Sequence, residues 1–209
     1  MNNRLTVFLL TFSILTALML PLSAALPSAD EAGVYDSVIR LHVLANSDTE
    51  EDQALKLKVR DGILITVSEL LHDVTDRSIA EAKLSENLAV IESAAERVLR
   101  DNDSKYTVSV TLTKEEYPTR EYSNITLPAG TYTSLRVLIG EAEGQNWWCV
   151  LFPKLCIGAE TDVAAFAAVD ETELVAAGLT PSQVRIITGD SPDVVVKFRI
   201  LEFIGQLFS

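Results

Sequence analysis

Residues 146–156 read NWWCVLFPKLC and hold the chain's two tryptophans and two cysteines. A cysteine nucleophile needs a base within reach, and His42 and His72 are the only histidines. His42 lies in an alternating strand-like stretch, where a lone histidine is more often half-buried and structural. In an exported chain, Cys149 and Cys156, even in number and with six residues between them, favour a disulfide, which would remove the nucleophile. Two buried free thiols acting as small hydrophobes are the alternative. The spacing does not suit zinc. Trp147 and Trp148 are adjacent on a strand and must face opposite ways. One suits the core; the other lies under a covering element or forms a contact hot spot.

Acidic clusters at 48–52, 115–116 and 141–143 are the other candidates for chemistry. None has the spelling of a calcium loop, and on helix ends and turns such clusters are mostly solvated. Asp48 and Asp52 could serve an exported wall hydrolase as paired carboxylates. They stand one helical turn apart, however, closer than most two-carboxylate mechanisms want. The GEAEG turn (140–144) would repel phosphate through its two glutamates. There is neither a Gly-x-Ser-x-Gly elbow nor a His-Glu-x-x-His motif. The reading is of a non-enzyme with no metal and no cofactor, which favours binding or signalling over catalysis. A wall-binding module is the plainer alternative.

Charge narrows the partners. The 209-residue chain carries 17 basic and 30 acidic residues, a net charge of −13. That balance disfavours nucleic acid and anionic membrane surfaces. MNNR (1–4) precedes an uncharged run from Leu5 to Leu20, and Ser23-Ala24-Ala25 supplies small residues at a cleavage position. Residues 1–25 are expected to be a signal peptide, with an uncleaved N-terminal anchor as the alternative and the chain's sole membrane contact. Either places the folded part outside the cytoplasm. Residues 26–37 follow as a flexible lead-in, and 38–209 as a single domain.

The elements that must position these residues follow from periodicity. Residues 37–46 alternate as a strand, with Arg40 and His42 on the wetter face. Ser47-Asp48-Thr49-Glu50 spells a capping box for a helix over 48–71, striped by Leu55, Val59, Ile63, Thr66 and Leu70. Ser78 to Glu81 repeats that spelling before a helix over 79–100. Strands are expected at 106–112, 132–139 and 147–152, with 114–130 a long connection. Short helices are expected at 161–169 and 171–177, and a C-terminal helix between 192 and 208 docks back on the sheet. The fold class is α+β: two long amphipathic helices on a mostly antiparallel sheet.

Two stretches carry more than their physics. IRLHVLANSDTEEDQALKLKVRDGIL (39–64) and PAGTYTSLRVLIGEAEGQNWWCVLFPKLC (128–156) resemble the stage II sporulation protein R family, and KFRILEF (197–203) resembles its closing segment. Residues 157–191 match least. The resemblance implies a protein made in the forespore and exported into the space between forespore and mother-cell membranes. There it would trigger a membrane-embedded aspartic protease of the mother cell that removes the pro-sequence of sigma-E. On that basis Arg40, Asn46, Asp48, Asp52, Gln53 and Lys56, with Trp147 and Trp148, are expected to form the protease-contacting face. Ser47 and Asp48 are also accounted for by helix capping; Arg40, Asn46 and Gln53 are less so.

Overall fold

The computed structural model describes residues 10–13, 29–122, 125–153, 171–176 and 178–189. Among them no helix is long and apolar enough to cross a membrane. Cys156 and the helices expected at 161–169 and 192–208 lie outside the described residues.

A four-stranded sheet organises the molecule. In chain order its strands are β1 (Ile39–Leu44), β2 (Val108–Tyr117), β5 (Gly130–Ile139) and β6 (Asn146–Phe152), arranged β2-β5-β1-β6. β5 and β6 form a hairpin opened by β1, which lies parallel to β5 and antiparallel to β6. β2 pairs antiparallel with β5. Two of three pairings are therefore antiparallel and the fold is α+β. The parallel pairing exists because three helices and β2 lie between β1 and β5, a connection long enough to cross over.

The two faces of the sheet bury different things. On the inner face Ile39, Leu41 and Val43 of β1 join Val108, Val110, Leu135, Val137 and Leu151. Helices α2 (Glu50–Leu70), α3 (Arg77–Glu86) and α4 (Leu88–Asp101) cover that face with Val59, Ile63, Val67, Leu84, Ile91 and Ala95. On the outer face lie Tyr117, Tyr132 and Val150, packed against Val34 of α1 (Ala29–Ser37). The small hairpin of β3 (Arg120–Tyr122) and β4 (Ile125–Leu127) completes this layer with α5 (Glu171–Ala176) and α6 (Pro181–Thr188).

Several local expectations change. Residues 26–37, expected as a lead-in, are helical over Ala29–Ser37, with Val34 fully buried and Tyr35 donating to the Ala129 carbonyl at 3.1 Å. The cap of α2 is Thr49, which accepts the Asp52 N–H; the Ser47 hydroxyl donates instead to the Asp52 carboxylate at 2.6 Å. The Ser47 oxygen takes the Thr49 N–H at 3.3 Å, ahead of the helix, while its proton goes to a charged acceptor, the stronger kind of hydrogen bond. Asp76, not Ser78, caps α3, taking the N–H groups of Ser78 and Ile79 at 2.8 and 3.0 Å. Its negative charge also suits the helix N-terminus.

The helix expected over 79–100 is two, broken at Asn87. There the Asn87 amide donates to the Lys83 carbonyl at 2.7 Å, the local side-chain competition that makes asparagine a poor interior helix residue. β2 continues five residues past the expected Leu112, because Glu115 and Tyr117 both have partners across the outer face. Helix α6 was legible but not expected: Thr180-Pro181-Ser182-Gln183 spells a capping box with proline at the first turn, and both reciprocal bonds form.

Candidate functional site

The expected site residues separate into two groups, one at the end of β1 and one on the outer face. The first is a hydrogen-bonded knot joining the β1–α2 junction to the β5–β6 turn. Asp52, 7% exposed, accepts from the Asn46 amide at 2.8 Å and from Ser47. The Asn46 side-chain oxygen takes the Glu141 N–H at 3.0 Å, and Asp48 takes the Gln145 N–H at 2.7 Å. Gln53 donates to the Ser47 carbonyl at 2.8 Å. Buried Lys56 donates to Gln53 Oε1 at 2.6 Å and to the Gln145 carbonyl at 2.9 Å.

Two glycines let the turn approach this closely. A Cβ on Gly140, at φ +58°, would stand 2.2 Å from Asn46 Oδ1, and one on Gly144 would stand 2.3 Å from the Ser47 carbonyl oxygen. The GEAEG turn is thus a docking piece for Asn46 and Ser47.

The electrostatics follow from the partners. Hydrogen bonds from Ser47 and then Asn46 hold the Asp52 carboxyl below the usual carboxylate range, against a smaller upward push from burial. Burial lowers the Lys56 ammonium, opposed by the nearby Asp48 charge. A general acid needs a raised carboxyl pKa. Asp52 has the opposite, and its Oδ2 already receives Asn46 and Ser47. Both carboxylates of the Asp48–Asp52 pair are engaged in holding the junction and the turn together.

The second group surrounds Arg40 on the outer face. Arg40 is fully buried, with its guanidinium carbon 4.0 Å from the Tyr117 ring centre, 5.2 Å from that of Tyr132 and 5.9 Å from that of Tyr122. It donates to the Tyr122 hydroxyl, while Nε and Nη1 have no hydrogen-bond partner among the described residues. Burial pushes all three tyrosines up, so none supplies a counter-charge. Cation–π attraction to three rings is what offsets the desolvation of this cation.

Toward the β5–β6 turn, His42 has Glu115 at Nδ1 (3.2 Å) and the Asn146 side-chain oxygen at Nε2 (2.7 Å). Glu115 also forms an ion pair with Arg136 at 3.1 Å. Burial pushes the Glu115 carboxyl up, but hydrogen bonds from His42 and Ser134 and the charges of His42 and Arg136 outweigh it and hold it low.

The two tryptophans lie on opposite faces, as adjacent strand residues must. Both are half-buried, and each carries an arginine. Arg60 of α2 stacks on Trp147 at 4.8 Å, and Arg120 of β3 stacks on Trp148 at 3.9 Å. Cys149 is buried on β6. Residue spacing revealed none of Tyr117, Arg120 or Arg136, and pointed to Glu115 only as part of an acidic cluster expected to be solvated. The available signal was the density of tyrosine and arginine in 114–136, a segment first taken largely for a connection.

Fold and site define an α+β domain in which two loops are tied together by hydrogen bonds at one end of the sheet and an arginine–aromatic cluster lies on its outer face. The chain belongs to the stage II sporulation protein R family, whose family model matches residues 35–162. It is 31% identical to the stage II sporulation protein R of Bacillus subtilis (strain 168) over 84% of each chain. No solved structure matches it.

Proposed function

We propose that this chain is an exported sporulation signal that acts by contact, switching on a membrane-embedded aspartic protease of the mother cell and so leading to processing of pro-sigma-E. One observation carries the reading beyond family membership. The two stretches most like the family, 39–64 and 128–156, fold into a single unit: β1 lies between β5 and β6, and the knot joins its end to their turn. A sequence signature that assembles into one rigid edge suits a surface presented to a partner.

To activate, the chain must bind the working arrangement of the protease more tightly than the idle one, since equal affinity shifts nothing. Holding two protease subunits together is one such arrangement, because each could supply one carboxylate of a catalytic pair. Export also suits a Cys149–Cys156 disulfide. No free cysteine occurs among the described residues, and the chain has only these two. Such a bond would add about 2–3 kcal/mol by restricting the unfolded chain. Two alkylations per chain without prior reduction would refute it.

The test is reconstitution in a non-sporulating host that carries the cognate protease and the sigma-E precursor. Precursor size is followed with the chain exported, with residues 2–25 deleted so that it stays inside, and without it. Cleavage only with the exported form is the expected result. No cleavage in any lane, with all components present, would overturn the reading.

A further inference from the structure

Among the described residues, the outer face of the sheet is covered at one end only. Near Tyr132 and Arg40 it lies beneath α1, the β3–β4 hairpin and α6; toward the β5–β6 turn it opens, with Ser109 and Thr111 exposed and the Arg136 side chain 40% exposed. At the boundary the Arg120 guanidinium carbon stands 3.9 Å from the ring centre of half-buried Trp148. The charge balance here is opposite to that of the chain. Arg40, Arg120 and Arg136 all lie on this face, and among the described residues Glu115, shared between His42 and Arg136, is the one carboxylate paired with any of them.

Neither Arg40 nor Arg120 has a carboxylate partner among the described residues. Among those residues their buried Nε groups also lack hydrogen-bond partners. In a chain with 30 acidic residues and a net charge of −13, two arginines without a carboxylate among the described residues, on the same face as a third, form a local positive site.

We propose that this open end binds an acidic, extended segment of a partner protein. Arg120 and Arg136 grip its carboxylates, Trp148 is the platform, and buried Arg40 is a fixed charge beneath. The guanidinium fork pairs with carboxylates through two parallel hydrogen bonds, and the Trp148 ring already holds Arg120 in place. Affinity then comes with little further ordering of that side chain. The proposal rests on the contact-signalling reading for the identity of the partner, but not for its chemistry.

The experiment selects random displayed peptides of roughly 12 residues on the immobilised full chain, then measures recovered peptides in solution. The recovered pool should be enriched in Asp and Glu. Its best binders should lose at least about tenfold in affinity on Arg120→Gln, the loss expected for a charged hydrogen-bonded pair. Arg120→Lys should restore part of that loss, and Arg97→Gln, on the exposed side of α4, should change nothing. Binding should also weaken as salt rises from about 50 to about 300 mM.

A pool without acidic enrichment, no recovered binder, or acidic binders indifferent to Arg120→Gln overturns the proposal; circular dichroism checks that each variant is folded. Precursor processing separates the two readings. If Arg120→Gln abolishes acidic-peptide binding but leaves processing at the wild-type rate, the site stands and its partner is not the protease. If processing fails while the peptide pool is not acidic, the acidic-segment proposal falls and contact signalling remains.

Discussion

Asp52 shows how one side chain can serve the fold and still look like chemistry. Its carboxylate receives Ser47 and Asn46 and is held low by them, as Glu115 is by His42, Ser134 and Arg136. Groups with depressed folded pKa values stabilise above their ordinary values, 3.8 for Asp52 and 4.5 for Glu115, and lose that contribution as pH falls through the folded values. Urea midpoints should therefore hold from about pH 7 to about pH 5 and fall below that. Asp52→Asn should cost about 1.5–3 kcal/mol near neutrality, the worth of hydrogen bonds to a charged group. The gap to wild type should close in acid, once Asp52 is protonated in both states; a gap that stays constant down to unfolding would refute the assignment. Gly140→Ala should also destabilise, by about 1–3 kcal/mol in thermal unfolding, because alanine there meets both a left-handed backbone and Asn46 Oδ1.

At the scale of elements, what could be read in the sequence was what depends on near neighbours. The long helix after β1 and the strands at 39–44, 130–139 and 146–152 announce themselves through apolar spacing, and their observed bounds fall within two residues of the expected ones. The misjudged features turn on competition between neighbours or on distant partners. Ser47 could cap a helix or bind Asp52, and spacing cannot say which. Asn87 interrupts a stripe that otherwise runs unbroken. The continuation of β2 depends on His42 and Ser134, 73 and 17 residues away from their respective partners Glu115 and Tyr117. The candidate site divides in the same way. The knot lies within the segments singled out for 39–64 and 128–156, whereas Arg120 and Glu115 reach the site only through tertiary pairing. Two substitutions test the helical layer. Asp76→Ala should cost about 1 kcal/mol by leaving two N–H groups of α3 uncapped. Ile91→Ala, fully buried where α4 meets the sheet, should cost about 2–5 kcal/mol. Chemical denaturation of both should give the larger loss at Ile91; the reverse order would mean that α4 is not packed as described.

At the scale of the molecule, the question is whether the two layers fold as one. The inner and outer clusters are separated by the sheet, yet Trp147 and Leu64 pack against both. β1 contributes Leu41 to one face and Arg40 to the other, so neither layer can dissolve without exposing the strand that the other needs. The adjacent tryptophans provide a reporter on each side. In Trp148→Phe the remaining fluorescence comes from Trp147 under Arg60; in Trp147→Phe it comes from Trp148 under Arg120. Within each variant, fluorescence and far-ultraviolet circular dichroism should unfold at the same denaturant concentration, the signature of a two-state domain. Each variant lowers the shared midpoint by its own lost contacts, so the comparison is between probes and not between variants. Should the Trp148 signal change well before the circular dichroism, the outer layer would be a separately melting unit. Arg40 and Arg120 would then become accessible by local opening, and any partner bound there would stabilise the outer layer more than the helical one.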